Sequence, residues 1–273
     1  MTTGGEAMAP VLFFLPARDE APTVGEVLGR IPTEVFGRRV ERLVIDDGST
    51  DATADIAVAA GAEVVRHPTG QGLGAAVRRG LEEAVARRAG VVVFCDADGE
   101  YDPAELARVV APIVEGRADY VVGSRFAGLL CHMHRHRRIG NRALTAMLSL
   151  AAGRTLSDGQ SGYRALSGPA AAAARIDHDY NYAQVLTLDL LARGVRYAEV
   201  PISYRRRQSG RSFVRTVPYL CRVIPAVLRQ VTARRPQPSM ATPRVSPVPV
   251  QVSDCSTKGA LPMGHRRPSL SMT

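Results

Sequence analysis

The 273-residue sequence has no tryptophan and only 5% aromatic residues. Lysine is almost absent too: Lys258 is the single lysine, so arginine supplies nearly all of the positive charge. The formal net charge of +9 suits phosphate-rich partners, anionic membrane surfaces or nucleic acid, and does not choose among them. A genome of biased base composition would give the same arginine excess without any function.

Cysteine is also scarce. The chain has four cysteines, at Cys95, Cys131, Cys221 and Cys255, with neither paired nor metal-type spacing. This scatter argues against a disulfide framework and against a zinc site, and a reducing compartment fits it best. We therefore expect a cytoplasmic protein.

Long apolar runs are missing as well. The first twenty residues carry no basic region, and their apolar stretch "VLFFL" is too short for a signal peptide or a membrane span. No other run reaches spanning length. Any membrane contact is therefore expected to be peripheral.

Short apolar runs alternate with amphipathic stretches in the first half of the chain. The predicted strands are 11–15, 42–46, 62–66, 91–95 and 120–124, and the predicted helices are 22–31, 51–60, 72–89 and 103–116. Strands that are apolar throughout are buried on both faces, and helical crossovers between them imply parallel pairing. The pattern predicts an α/β fold with a doubly wound, mainly parallel sheet and helices on both faces.

The rest of the chain is built differently. A basic segment, "CHMHRHRRIGNR", is followed by helix candidates near 139–152 and 181–193. We expect a flexible N-terminus at 1–9, one main domain at 10–212, an amphipathic helix at 213–232, and a disordered Pro/Ser-rich tail at 233–273.

The predicted helix at 213–232 has an interfacial pattern. Arg215, Arg222 and Arg229 are seven residues apart and fall on one stripe, with apolar residues elsewhere. A membrane-surface helix and a terminal helix packed on the domain fit this pattern equally well.

Two acidic clusters follow predicted strands: Asp46 with Asp47, and Asp96 with Asp98 and Glu100. Ligands of open α/β sheets bind beyond the carboxyl ends of the strands. Two carboxylates about 4 Å apart repel by roughly 4 kcal/mol at an intermediate dielectric, so a cation is the economical partner. Hard oxygen ligands suit Mg²⁺ or Mn²⁺ bound with a diphosphate. Simple capping of the following helices is the alternative.

Seven stretches, in order, resemble one known family. They are "FLPARDEAPTV", "VIDDGSTDAT", "GQGLGAAVRRG", "DADGEYDP", "VGSRF", "QSGYRALS" and "EVPISYRRRQSGRS". With their spacing they resemble the family 2 glycosyltransferases, particularly the dolichyl- and polyprenyl-phosphate sugar synthases, over about residues 10–215. The resemblance implies a nucleotide-sugar-binding fold of the GT-A type.

The resemblance also implies site residues. Nucleotide-sugar binding would fall to Pro16, Arg18, Glu20, Asp47, Asp96 and Ala97. A Mg²⁺ or Mn²⁺ ion would be held by Asp96, Asp98 and Glu100. The catalytic set would be Asp158, Arg125, Arg142, Arg164 and Arg207.

The implied reaction is an inverting transfer of sugar from a GDP- or UDP-sugar, with a polyprenyl phosphate as the favoured acceptor. A phosphate acceptor arrives already ionised and needs no general base. A soluble hydroxyl acceptor would need a base, and Asp158 sits where related enzymes keep one; in the lipid-phosphate branch the same aspartate is structural or contacts the acceptor. The expected partners are the donor, a lipid phosphate and the inner face of the cell membrane, but no nucleic acid. Whether a membrane-embedded subunit also takes part is left open.

Three positions depart from the family pattern. Gln71 and Phe213 replace lysines common in relatives, and Val185 replaces a glutamate. These departures weaken the assignment of a particular sugar or acceptor. A catalytically inactive nucleotide-sugar-binding scaffold is a separate alternative. A dinucleotide-dependent oxidoreductase is disfavoured because "GQGLG" lacks the third glycine of that fingerprint. A sugar nucleotidyltransferase would open with a glycine-rich basic loop, which is missing here.

Overall fold

The computed structural model describes residues 8–128, 135–179 and 182–205. The predicted helix at 213–232, the predicted tail at 233–273 and Arg207 lie outside these residues. Most of the predicted main domain lies within them.

Eight strands and seven α-helices make up the described chain. The strands are β1 (Val11–Ala17), β2 (Glu34–Val35), β3 (Arg38–Asp46), β4 (Glu63–Arg66), β5 (Val91–Phe94), β6 (Tyr120–Ser124), β7 (Arg164–Ser167) and β8 (Tyr197–Pro201). The helices are α1 (Val24–Gly29), α2 (Thr53–Ala59), α3 (Leu73–Ala86), α4 (Leu106–Val114), α5 (Arg135–Ala152), α6 (Gly168–Ala173) and α7 (Ala183–Ala192). A short 3₁₀ turn, Pro103–Glu105, leads into α4.

The strands form one sheet in the order β4–β3–β1–β5–β7–β6–β8, and β2 pairs with the start of β3. The pairs β3–β4, β1–β3, β1–β5 and β6–β8 are parallel, whereas β7 runs antiparallel to both of its neighbours. The mainly parallel sheet predicted from the sequence is confirmed. The antiparallel strand β7 was not predicted, because its four residues, "RALS", show no strand pattern of their own.

Helices cover both faces of the sheet. Successive residues of a strand point to opposite faces, and in β1 Phe13 faces one core while Phe14 faces the other. The first core packs against α1, α2 and α4, and the second packs against α3, α6 and α7. This is the physical reason why the strands are apolar throughout, as the doubly wound arrangement requires.

Helix α5 lies apart from both cores. Its residues Leu144, Met147 and Leu148 pack on Leu156 and Leu188 in a small separate cluster. No helix in the described residues is both long and apolar enough to cross a bilayer.

Candidate active site

The first acidic cluster lies where β1 and β3 end together. The two strands pair in parallel, so Pro16 lies opposite Ile45 and Ala17 lies opposite Asp46. Their carboxyl ends share one edge of the sheet, and the chain leaves each of them in a loop. Pro16 on β1 and Asp47, the residue after β3, are thereby brought close together, and the Asp47 N–H donates to Ala17 O at 2.8 Å.

Asp47 is held by the turn before α3. Its Oδ1 accepts hydrogen bonds from Nδ1 of His67 and from the backbone N–H of Gln71, each at 2.8 Å. Its Oδ2 accepts one from the N–H of Gly72, also at 2.8 Å. Gln71 acts through its backbone, so the lysine common in relatives is not needed for this contact.

Close backbone approach explains one glycine of the "DDGS" stretch. Gly48 has φ +71°, and a Cβ on it would lie 2.6 Å from the backbone nitrogen of Gly70. A side chain at Gly48 would push the two loops apart, and Asp47 would lose its donors. On the other side of Gly70, the Arg18 guanidinium lies where a Cβ of Gly70 would be.

Asp46 has a structural role. It is completely buried, accepts a hydrogen bond from Ser49 N–H at 2.9 Å, and forms an ion pair with Arg66 at 3.1 Å. Glu20 is 8% exposed, and its backbone N–H donates to Oγ1 of Thr53 at 2.8 Å. The loop after β1 is therefore hydrogen-bonded to the start of α2.

The second acidic cluster follows β5. Asp96, Asp98 and Glu100 are partly buried, and Ala97 between them is buried in the core. The pKa of Asp96 is raised to about 8, first by burial and then by the charges of Asp98 and Glu100. The positive charge of Arg125 acts in the opposite direction. A carboxylate in these surroundings ionises with difficulty unless a cation is near.

The chemistry of this cluster fits a divalent cation. In the part of the chain that the structure describes, no three His, Cys, Asp or Glu side chains are grouped so that they could hold a metal ion by themselves. A bound diphosphate would supply the remaining oxygen ligands of Mg²⁺ or Mn²⁺. The three acids that follow β5 favour a cation here, because a cation would relieve the repulsion that raises the pKa of Asp96.

Gly162 fits tightly against this cluster. A Cβ on Gly162 would lie 2.4 Å from Oδ2 of Asp96 and 3.1 Å from the Tyr101 ring. The hydroxyl of Tyr101 accepts a hydrogen bond from Gly162 N–H at 2.7 Å. The loop before β7 therefore packs against residues 96–100, which we call the acidic loop, and fixes the position of Asp96.

Arg125 and Asp158 form a buried ion pair. Nε and Nη2 of Arg125 donate to the two carboxylate oxygens of Asp158 at 2.7 and 2.8 Å, and the Arg125 backbone N–H donates at 3.1 Å. Arg125 is 5% exposed and Asp158 is fully buried. Asp158 thus orients Arg125, and the guanidinium lies over the rings of Phe126 and Tyr204.

Glu199, on β8, accepts hydrogen bonds from the loop that carries Asp158. Its carboxylate accepts hydrogen bonds from Ser157 N–H at 2.9 Å, from Asp158 N–H at 3.3 Å and from the Tyr197 hydroxyl at 2.7 Å. The Glu199 side chain therefore fixes the loop that carries Asp158.

The remaining predicted arginines lie in different places. Arg164 is fully buried beneath the loop before β7, where its Nε donates to Ser161 O at 2.9 Å and its Nη1 donates to Ala183 O at 2.9 Å. It braces that loop instead of facing a phosphate. Arg142 is exposed on α5, and its guanidinium lies 5.7 Å from the centre of the Phe126 ring.

The site contains residues that the sequence analysis did not single out: His67, Tyr101, Gly162 and Glu199. All but His67 stand inside stretches already noted for their family resemblance, such as "QSGYRALS" and "EVPISY". Membership of a motif was the available signal. Their partners are distant in sequence, so the contacts could not be seen there.

Comparison with known proteins identifies the family. The family model of glycosyl transferase family 2 matches residues 13–170. Glycosyltransferase AglJ of Haloferax volcanii is 33% identical over 73% of this chain and 64% of its own length. This chain therefore spans less than two thirds of AglJ. Undecaprenyl-phosphate mannosyltransferase of Micrococcus luteus is 31% identical over 74% of this chain and 86% of its own length.

A solved glycosyltransferase structure also matches the fold of this chain. Glucosyl-3-phosphoglycerate synthase of Mycobacterium tuberculosis, in complex with Mn²⁺, UDP and glucosyl-3-phosphoglycerate, superposes with a TM-score of 0.66 and 26% identity. The match covers 83% of this chain and 81% of that one. The fold is thus the nucleotide-sugar-binding α/β fold of glycosyltransferases, and the chain belongs to glycosyl transferase family 2.

Proposed function

We propose that this glycosyltransferase moves a sugar, with inversion and with the help of Mg²⁺ or Mn²⁺, from a GDP- or UDP-sugar to a polyprenyl phosphate. The observation that carries the proposal is the cluster of Asp96, Asp98 and Glu100 directly after β5, in which burial and mutual repulsion raise the pKa of Asp96 and the charge of Arg125 lowers it. Relatives named for undecaprenyl phosphate and dolichyl phosphate support the acceptor.

The donor would lie across the two acidic clusters. Asp47, fixed by His67 and the turn at Gly72, would orient the nucleoside. Asp96, Asp98 and Glu100 would hold the ion, which supplies charge stabilisation for the departing diphosphate when bound. Arg125 would stabilise the same charge from the side of β6, and its ion pair with Asp158 keeps it in place before the donor arrives.

The state of Asp158 supports a phosphate acceptor. Both of its carboxylate oxygens accept hydrogen bonds from Arg125, and the side chain is fully buried. A carboxylate so engaged is poorly placed to take a proton from a hydroxyl acceptor. An ionised phosphate acceptor requires no such step.

A soluble phosphorylated acceptor is the second candidate. It is favoured by the structural relative, which was crystallised with Mn²⁺, UDP and phosphoglyceric acid. The two candidates are separated by giving the enzyme labelled donor with either a polyprenyl phosphate or small phosphorylated acids. Transfer of label into the organic phase supports the lipid acceptor, and transfer only into water-soluble product contradicts it.

Donor binding is tested by thermal shift and calorimetry with UDP and GDP, with and without Mn²⁺. A ligand that binds only the folded protein raises its melting temperature. We expect Asp98→Ala to abolish the metal-dependent part of the shift, and the matched control Asp55→Ala, on the exposed side of α2, to retain it. Absence of any nucleotide effect in the wild type would contradict the proposal, whereas a nucleotide effect without sugar transfer would favour an inactive nucleotide-sugar-binding scaffold.

We further propose that the enzyme works at the cytoplasmic face of the membrane, where a polyprenyl phosphate is accessible. The interfacial pattern at 213–232 supports this location. Truncation after Arg211 is expected to weaken binding to anionic liposomes, which cosedimentation measures.

A further inference from the structure

Helix α5 carries two apolar faces. Leu144 and Leu148 are on the inner one, which packs on Leu188 of α7. On the opposite side Ile139 is 69% exposed and Leu150 is 86% exposed. These are the two most exposed large hydrophobic side chains in the described part of the chain.

The exposed residues form a stripe. Ala143 and Ala146 lie between Ile139 and Leu150 and are exposed as well. The spacings of four, three and four residues keep all four positions on one side of the helix. The stripe runs for three turns, and we call it the outer face of α5.

Positive charge borders the outer face. Arg138 and Arg142 are exposed along one side of it, and the 18 residues of α5 contain no Asp or Glu. The Arg142 guanidinium lies over the ring of Phe126, and that of Arg125 contacts the same ring. The basic end of the outer face is therefore next to the proposed site of transfer.

We propose that the outer face of α5 docks on an anionic lipid surface. Ile139 and Leu150 enter the boundary between headgroups and acyl chains, and Arg138 and Arg142 bind lipid phosphates. This proposal deepens the proposed function and rests on it for its biological meaning. Its physical basis is the combination of an exposed apolar stripe with charge of one sign.

A lipid surface fits the outer face better than a protein partner does. A stable protein interface buries about 800 Å² on each partner, which two large side chains and two alanines do not provide. A bilayer requires only a narrow apolar stripe and a basic border. Docked in this way, α5 lies in the plane of the membrane and brings Arg125 close to the surface from which a lipid phosphate would come.

The absence of tryptophan allows a direct test. Leu150→Trp and Ile139→Trp each create a protein with a single tryptophan on the outer face. Val58→Trp and Val85→Trp are matched controls, because Val58 is 60% and Val85 is 45% exposed on other helices. Each full-length variant is mixed with phosphatidylglycerol–phosphatidylcholine vesicles that contain brominated acyl chains, which quench nearby tryptophan.

We expect quenching and a blue-shifted emission for the two α5 variants and neither change for the controls. A second variant, Ile139→Ser with Leu150→Ser, is expected to lower vesicle binding by about ten-fold or more because it removes most of the inserted apolar area. Arg138→Gln with Arg142→Gln should reduce the salt dependence of binding to anionic vesicles.

Two results would overturn the inference. One is an unquenched tryptophan at both α5 positions while the protein sediments with vesicles. The other is a change from dimer to monomer in the serine variant, which would identify a second copy of the chain as the occupant. Calorimetry with UDP and Mn²⁺ on the same samples distinguishes a failure of docking from a failure of the proposed function.

Discussion

Single atoms decide the geometry of the acidic loop. Gly162 touches the Asp96 carboxylate so closely that only hydrogen fits on its α-carbon. The same residue donates its N–H to Tyr101, which is buried between the acidic loop and Tyr204. The position of Asp96 therefore depends on a residue 66 positions later in the chain.

Gly162→Ala is expected to displace the Asp96 carboxylate. We expect affinity for UDP or GDP with Mn²⁺ to fall by about ten-fold or more, since a shift of that carboxylate removes a ligand of the ion. Calorimetry measures the affinity, and a thermal melt without ligand reports any general loss of stability. Gly29→Ala is the matched control, because a Cβ at Gly29 meets nothing within 4 Å. Equal affinities for the two variants would contradict the assignment of Asp96.

The raised pKa of Asp96 predicts a pH dependence of stability. The folded chain holds the Asp96 proton up to about pH 8, whereas an unfolded aspartate loses it near its ordinary value of 3.8. The folded state therefore binds the extra proton between these values. This contribution to stability is present at acid pH and is lost as the pH rises through 8.

Melting temperatures of the metal-free protein between pH 5 and pH 8.5 test this prediction. We expect Asp96→Asn to show a flatter profile than the wild type, and Asp55→Asn to follow the wild type. Binding of Mn²⁺ near neutral pH should also release a proton from Asp96, since metal ligands must be deprotonated. Calorimetry in two buffers of different ionisation heat detects that proton, and its absence would argue against Asp96 as a ligand.

At the scale of the elements, β8 influences the site through Glu199. It pairs in parallel with β6, so Glu199 lies opposite Val122 and Pro201 lies opposite Ser124, the residue before Arg125. Glu199 fixes the loop of Asp158, and Asp158 in turn fixes Arg125. The edge strand thus helps to position Arg125 through the loop that carries Asp158.

Glu199→Gln is expected to slow transfer without weakening donor binding. The amide oxygen can replace Oε1 and keep the bonds from Asp158 N–H and the Tyr197 hydroxyl, but the amide NH₂ replaces Oε2 and faces the Ser157 N–H as a second donor. The loss of the negative charge and this clash of two donors loosen the loop that carries Asp158. We expect kcat to fall about ten-fold, with the affinity for the nucleoside diphosphate nearly unchanged. Glu34→Gln, on the exposed strand β2, is the control. A parallel loss of nucleotide affinity would indicate general damage to the fold.

At the scale of the whole molecule, the described residues 8–128, 135–179 and 182–205 contain the eight strands, both cores and nearly all of the proposed site. Arg207 is the one proposed residue outside these ranges. The region 233–273 is rich in Pro and Ser and shows no periodic apolar pattern. Its contribution to the stability of the domain is therefore expected to be small.

A chain that ends at residue 232 is expected to keep the melting temperature and the nucleotide affinity of the full-length protein. Calorimetric melts and thermal shifts with UDP and Mn²⁺ measure both. A chain that ends at residue 195 lacks β8 and its pairing with β6, and should fail to fold. A large loss of stability in the chain that ends at residue 232 would show that the tail packs on the domain.

Local pattern determined much of the architecture. The five predicted strands agree with β1, β3, β4, β5 and β6 to within a few residues at their ends, because buried parallel strands are continuously apolar. The predicted helices agree equally well with α1 to α5 and α7. The ordered motifs also predicted the family, since their residue types and spacing are readable in the sequence alone.

Tertiary structure alone decided the details of the site. Arg164 bonds to Ala183, Asp158 pairs with Arg125, and Glu199 fixes the loop that carries Asp158. Each of these contacts joins residues that are far apart in the chain. The sequence contains each of these charged groups without showing its partner. Burial decides the partner, because a charge inside the protein must be matched by an opposite charge or by hydrogen bonds, and only the packed sheet brings those groups within reach.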